Sequence, residues 1–315
     1  MDDQFRVTRS SEISFFIILG VSLAFLFIVS FVLGLKVERG GNPVPSQVTR
    51  SVFPIVNIEA KAAYVYDIRT KTVLFAKNEN TRLPLASLTK VMSALVAQDL
   101  SPLYGTVVVS SEAMLAEGDS GFYEDEKWSL KDILDFSLVT SSNDGMRAVA
   151  LSLGALSSAQ ASPEEILNDF IGEMNRKASE LGLKNTYFWN ETGLDESDMK
   201  GGAYGTARDM STLLEYVLIN YPEMFVATRE SVGTFQSLDN HRHLARNTNG
   251  LAAKIPGLLA SKTGFTNTAG GNLMIAFDPE LGRPIIVSIL GSSEQGRFED
   301  VHNLVKAVME YIQTN

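Results

Sequence analysis

Short β-prone apolar runs stand at both ends of the main body of this chain, and runs with helical spacing fill its middle. Ala62 to Ile68 and Thr72 to Ala76, separated by Arg69-Thr70-Lys71, predict a hairpin. Leu88, Val91, Met92, Leu95 and Val96 recur at i, i+3, i+4, i+7 and i+8, the stripe of a helix with one buried face. Trp128 to Val139 reads as another helix, with Ser129 as N-cap, Asp132 three residues on, and Leu130, Ile133, Leu134 and Leu138 on one face. Further helices are expected at Pro163 to Leu181, Thr206 to Asn220 and Phe298 to Gln313, and late strands at Leu258 to Thr263, Gly271 to Phe277 and Pro284 to Leu290. Strands at both ends around a helical middle predict that the first and last strands share one sheet. The fold class is therefore α+β, an antiparallel sheet with a helical subdomain set against it. The last helix carries Phe298, Val301, Leu304, Val305, Val308 and Ile312 at helical spacing, and packing of that stripe on the sheet is expected rather than membrane contact.

Upstream the pattern changes. Ile13 to Leu35 is uncharged and rich in Phe, Ile, Leu and Val, long enough to cross a hydrocarbon core of roughly 30 Å as a helix. A cleaved signal peptide would have a shorter apolar region and a small-residue cleavage site, and neither is present. Arg6 and Arg9 before it and Lys36 and Arg39 after it orient the segment only weakly. Gly40, Gly41, Pro43, Pro45 and Ser46 then mark a linker. The expected organisation is a cytoplasmic N-terminus (1–12), a transmembrane signal anchor (13–35), a linker (36–58) and an extracytoplasmic domain (59–315), which places the protein as a single-pass protein of the inner, cytoplasmic membrane. With 315 residues and 45% hydrophobic content the chain can bury a sizeable core, and its net charge of −10 argues against a nucleic-acid partner. The absence of cysteine fits an extracytoplasmic domain free of stray disulfides.

Chemistry enters with three short motifs. Ser87 and Lys90 lie one helical turn apart at the edge of the first apolar stripe. Taken alone, that pair is more simply an N-cap and a lysine snorkelling to water. Ser141-Ser142-Asn143 follows the helix that ends near Val139, and Lys262-Thr263-Gly264 ends a predicted strand. The ordered set S-x-x-K, S-x-N and K-T-G is the pattern of the penicillin-recognising serine enzymes.

From about Ala62 onward the sequence resembles the D-alanyl-D-alanine carboxypeptidases, the low-molecular-mass penicillin-binding proteins. Gly182-Leu183-Lys184-Asn185-Thr186, Gly193-Leu194-Asp195, Thr206-Ala207-Arg208-Asp209-Met210 and Ala269-Gly270-Gly271-Asn272-Leu273 look like that family's connecting sequence. The resemblance implies a penicillin-binding-protein/β-lactamase-like transpeptidase fold and a serine DD-peptidase acting on peptidoglycan pentapeptides, with β-lactams as covalent inhibitors and no cofactor or metal. No counterpart of the β-rich C-terminal domain or tail anchor of some relatives is visible, which leaves anchoring to the N-terminal helix. By the same resemblance Ser87 is the nucleophile, Lys90 its base once neutral, and Ser141 the proton relay to the leaving amine. Burial and a nearby like charge, which Lys262 supplies if the three motifs converge, lower the pKa of Lys90. Asn143 holds the substrate backbone, Lys262 and Thr263 hold the terminal carboxylate, and Gly264 lets the strand approach the substrate. The N–H groups of Ser87 and Phe265 form the oxyanion hole. Phe265 departs from the histidine common in relatives. Alternative activities sharing these motifs are a serine β-lactamase, a DD-endopeptidase and a catalytically silent peptidoglycan-binding protein.

Other motifs receive bland readings. His241 and His243 are read as surface histidines rather than metal ligands. Asn190-Glu191-Thr192 matches a glycosylation sequon by coincidence. Glu164-Glu165-Ile166-Leu167-Asn168 imitates the E-x-x-L-N pattern of class A β-lactamases, but Ser162, Pro163 and Glu165 explain it as a capping box.

Overall fold

The computed structural model describes residues 52–154 and 161–314. The expected transmembrane segment, 13–35, lies outside the described residues. Among the described residues no helix is long and apolar enough to cross a membrane.

The first and last strands do share one sheet. β1 (Ala62–Asp67) pairs antiparallel with β2 (Thr72–Lys77) and, on its other side, with β12 (Ile285–Ser292), in register from Ala62↔Leu290 to Asp67↔Ile285. With β10 (Leu258–Thr266) and β11 (Gly270–Phe277) the sheet runs β10-β11-β12-β1-β2. All eight residues of β12 are buried, as expected for a strand covered on both faces, and its apolar residues divide between two cores. Ile285, Val287 and Ile289 join Val301, Leu304 and Val308 of the last helix, α6 (Gly296–Gln313), so the apolar stripe of that helix packs on the sheet. Ile286 and Leu290 face the larger core of the helical subdomain.

That subdomain is built around α1 (Thr89–Leu100), in which every residue from Thr89 to Ala97 is buried. Around it lie α2 (Leu130–Thr140), α3 (Asn143–Gly154), α4 (Pro163–Glu180) and α5 (Ala207–Asn220). Ser129 caps α2 by accepting from the Asp132 N–H, but Trp128 and Ser129 themselves end β5 (Glu126–Ser129), which pairs with β4 (Thr106–Val109). The predicted helix thus began two residues early, because Trp128 is an inward residue of a strand that runs directly into the helix. The expected capping box at Ser162 and Glu165 is present. Helix α3 was not expected: Ser141, in the left-handed conformation (φ 63°), ends α2, and a new helix starts two residues later. Smaller pieces are a three-stranded sheet, β3 (Leu83–Pro84), β7 (Ala203–Gly205) and β6 (Tyr187–Phe188), and a hairpin of β8 (Val232–Gln236) and β9 (Arg242–Arg246).

Two readings change here. Alternation along β9 turns His243 inward, where its Nε2 lies 2.8 Å from Glu126 Oε1 and its ring 5.0 Å from that of Trp128. It is a core histidine, whereas His241 of the same pair is exposed. Residues 52–58, placed in the linker from sequence, lie on the domain: Phe53 packs against Phe75 and Tyr311, and the Ile58 carbonyl accepts from Lys77 Nζ.

Candidate active site

The three motifs converge at the junction of the two cores. Ser87 sits in a 3₁₀ turn, Ala86–Leu88, that runs directly into α1, so Ser87 and Lys90 are one turn apart as the spacing predicts. Ser87 does not cap the helix: Leu88 occupies the N-cap position and no side chain bonds there. The turn is strained, since Ala86 adopts φ +47°, a conformation that costs a residue with a Cβ roughly 1–2 kcal/mol. Its neighbours impose that geometry. The buried Asn272 amide donates to the carbonyls of Pro84 and Leu85, both at 3.0 Å, while its oxygen accepts from the Gly291 N–H at 2.8 Å. Gly193 backs the turn so closely that a Cβ there would lie 1.9 Å from the Ala86 carbonyl oxygen.

Lys90 is fully buried, and the snorkelling alternative is excluded. Its Nζ lies 3.0 Å from Ser87 Oγ, 2.6 Å from Asn143 Oδ1 and 2.8 Å from the Thr192 carbonyl oxygen. The last two groups only accept, so they fix two N–H bonds and leave the third direction of the nitrogen on the Ser87 hydroxyl. A neutral Lys90 keeps both donated bonds and turns its lone pair to the hydroxyl proton. Burial pushes its pKa down to about 7, against the opposing pull of Glu191 and Asp144.

On the sheet side, Lys262 of β10 is also buried and donates to Ser141 Oγ and to the Thr263 carbonyl, both at 2.9 Å. Burial first, then repulsion from Lys90 and Arg297, holds its ammonium well below the usual lysine range. Desolvation is the leading cause of the depression at both lysines, and Lys262 has no carboxylate beside it. Thr263 Oγ1 is 2.6 Å from Thr248 Oγ1. Gly264 also permits a close approach within the protein, because a Cβ there would lie 3.0 Å from the Leu85 carbonyl oxygen and 3.1 Å from the Ser87 nitrogen, tighter than ordinary van der Waals contact. The K-T-G strand is thereby pressed onto the nucleophile turn, which sets the Ser87 amide beside the strand that carries Phe265. The Phe265 side chain is exposed.

All eight residues singled out from the sequence lie in this one region. Sequence reasoning missed several supports. Asn143 Nδ2 donates to the Glu117 carbonyl at 2.7 Å, so one of its donors is already committed. Asn190 is no glycosylation site: its oxygen accepts from the Gly193 N–H and its amide donates to the Leu194 carbonyl and to Glu196, which shapes the turn that presents the Thr192 carbonyl to Lys90. Glu191 is buried and paired with Arg147 at 2.9 Å. Arg297, at the start of α6, donates to the Gly264 carbonyl at 2.8 Å and steadies the K-T-G strand. Carbonyl acceptors leave no side-chain trace in a sequence, whereas an arginine opening an otherwise apolar helix face was a usable signal. Between Glu117, Leu194, Asp195, Asp198, Phe265 and Thr266 opens a cavity of about 570 Å³.

Comparison with known proteins agrees with this geometry. A family model described as D-alanyl-D-alanine carboxypeptidase matches residues 47–294. D-alanyl-D-alanine carboxypeptidase DacF of Bacillus subtilis is 34% identical over 218 residues, 67% of this chain and 52% of that protein. D-alanyl-D-alanine carboxypeptidase DacB2 of Mycobacterium tuberculosis is 30% identical over 77% of this chain and 79% of its own length. The chain thus spans about half the length of the first relative and most of the second. The crystal structure of penicillin-binding protein D2 from Listeria monocytogenes in its ampicillin-bound form superposes with a TM-score of 0.63 at 26% identity, covering 81% of this chain and 99% of that one. The chain belongs to the D-alanyl-D-alanine carboxypeptidase family.

Proposed function

We propose that the protein is a serine-type D-alanyl-D-alanine carboxypeptidase that trims peptidoglycan stem peptides through an acyl-enzyme on Ser87. The observation that carries this reading is a fully buried lysine, brought to a pKa of about 7, aimed at a serine hydroxyl 3.0 Å away. At neutral pH Lys90 is deprotonated often enough to act as a base. Neutral Lys90 takes the hydroxyl proton as Ser87 Oγ attacks the carbonyl between the two D-alanines. The Ser87 and Phe265 N–H groups take up the negative charge on the carbonyl oxygen. The C–N bond then breaks, the proton passes through Ser141 to the departing amine, and D-alanine leaves. Water, activated by the same base, releases the trimmed peptide and regenerates the Ser87 hydroxyl. The terminal carboxylate of the substrate supplies Lys262 with the anion it lacks, and Thr263 Oγ1 donates to the same group. Asn143 uses its remaining amide proton on the peptide backbone. β-Lactams enter by the same attack and stay bound as acyl adducts.

The protein is held at the cytoplasmic membrane by residues 13–35, with the domain outside. Protease added to spheroplasts is expected to digest the domain, and protection of the domain while an N-terminal reporter is cut would reverse the orientation. For the reaction, the full-length protein is incubated with a D-alanyl-D-alanine-ended pentapeptide and with a cross-linked muropeptide, and products are read by mass. Loss of one alanine from the pentapeptide is expected. An untouched pentapeptide beside a cleaved dimer would make the protein an endopeptidase, and rapid release of hydrolysed penicillin would make it a β-lactamase.

A further inference from the structure

The outer face of the small sheet β3-β7-β6 is built unlike a solvated strand surface. On β6 the apolar requirement is met by Phe188, which is completely buried, yet its neighbours Tyr187 and Trp189 are not, and Tyr187 is 44% exposed. Tyr187 stands directly across from Tyr204 of β7. Ring centroids are 4.6 Å apart for Tyr187 and Trp189 and 5.7 Å for Trp189 and Tyr204, so three aromatic rings form one outward cluster. Two cations reach it. Lys200 Nζ lies 4.8 Å from the centre of the Trp189 ring, and the Arg82 guanidinium lies 5.9 Å from Trp189 and 5.7 Å from Tyr204. In a chain of net charge −10, neither has a carboxylate within ion-pair distance among the described residues, whereas Lys71, Arg147, Lys177 and Arg283 all do. Arg82, Trp189, Lys200 and Tyr204 line a cavity of about 450 Å³.

The cluster is continuous with the catalytic cleft. The loop from Leu194 to Lys200 lines the cleft cavity with Leu194, Asp195, Ser197 and Asp198 and ends at Lys200 on the aromatic side. Arg82 immediately precedes β3, which leads within five residues to Ser87.

We infer that this face binds an acidic saccharide, a peptide-free stretch of the glycan whose neighbouring stem peptides enter the cleft, where the muramic acid carboxylates are not tied up in the amide to a peptide; the identity of that polymer rests on the function proposed above. Flat pyranose rings pack their C–H faces on aromatic rings, and carboxylates on the sugars meet Arg82 and Lys200. A neutral saccharide gives two unpaired cations nothing to bind, and a simple polyanion has no use for three aromatic rings.

Trp189 is its own reporter, because the chain has two tryptophans and the other, Trp128, is fully buried. The full-length protein, with Ser87 acylated by penicillin to block the cleft, is titrated with peptide-free oligomers of alternating N-acetylglucosamine and N-acetylmuramic acid while tryptophan fluorescence is read. A saturable change is expected, weakened at least about tenfold in the exposed-residue variant Arg82→Gln/Lys200→Gln and for neutral chitin oligomers of equal length. The Tm of that variant should stay within about 3 °C of wild type, which separates lost binding from lost stability. Absence of saturation, equal binding of chitin oligomers, or equal binding of polyglutamate of matched charge would overturn the site. If penicillin leaves Ser87 free, the function proposal fails on its own account, and the same titration of Ser87→Ala still decides the glycan site.

Discussion

The two ends of the catalytic cleft each bury a lysine, and they treat it differently. On the helical side Lys90 is desolvated but faces Glu191 and Asp144, whose attraction returns part of what burial removes, so its pKa settles at about 7. On the sheet side Lys262 is desolvated with Lys90 and Arg297 as its charged neighbours, and it is driven well below the lysine range. Burial is the leading cause in both, and the sign of the surrounding charge separates them. A lysine balanced near neutrality can take and return a proton. A lysine without a counter-ion is a vacant half of an ion pair, completed when a carboxylate binds.

The most severe way to break this contrast is to remove what Lys90 acts on. Ser87→Ala should abolish covalent labelling by a fluorescent penicillin, and mass spectrometry finding an adduct elsewhere would refute the assignment. Lys90→Ala should leave the melting transition cooperative yet slow acylation by roughly 10²- to 10⁴-fold, the range of general-base catalysis. A loss under tenfold would move the base to another group.

Titration gives a milder version of the same test. Acylation requires neutral Lys90, so its rate should fall by roughly 50-fold between pH 7 and pH 5, following a pKa near 7. A flat profile in that interval would contradict the burial argument. The same depressed pKa acts on stability. Between about 7 and the unperturbed 10.5 the unfolded chain binds more protons than the native one, so the contribution of Lys90 to stability rises with pH across that window and is lost as pH falls through 7.

Lys262→Ala should act on recognition instead, raising KM for the carboxylate-ended peptide at least about tenfold with a smaller change in kcat. A pure kcat effect would give Lys262 a part in proton transfer and erase the distinction between the two ends. The smallest effect is expected far from both. Glu164→Gln should leave peptidase activity nearly unchanged, because Glu164 is an exposed residue in the first turn of α4 beside the Ser162–Glu165 capping box. A loss of two orders of magnitude would restore the β-lactamase reading.

Much of this site could be read from the chain alone. S-x-x-K, S-x-N and K-T-G are side-chain patterns, and side-chain chemistry is what a sequence records. The sheet was legible because its strands are apolar runs at both ends of the domain, and α6 because its stripe repeats at 3.6 residues. Less visible were features in which a residue's role depends on what arrives from elsewhere. Trp128 was read as the start of a helix yet belongs to a strand, because its partner Val107 lies on β4. His243 looked polar and superficial until β9 turned it toward Glu126.

The sequence by itself determined the α+β class and the one-turn spacing of Ser87 and Lys90, since these follow from residue type and local periodicity, while the roles of the two residues came from the resemblance of the three motifs to a known family. Tertiary structure alone decided that Lys90 is buried against the Ser87 hydroxyl rather than snorkelling to water. Its pKa depends on desolvation by packed neighbours, on the Thr192 carbonyl reaching it from 102 positions away and on Asn143 from 53. It also decided how tightly a side chain at residue 264 would be crowded: the approach of β10 to the Ser87 turn is a distance between backbones far apart in the chain, and no local pattern encodes such a distance.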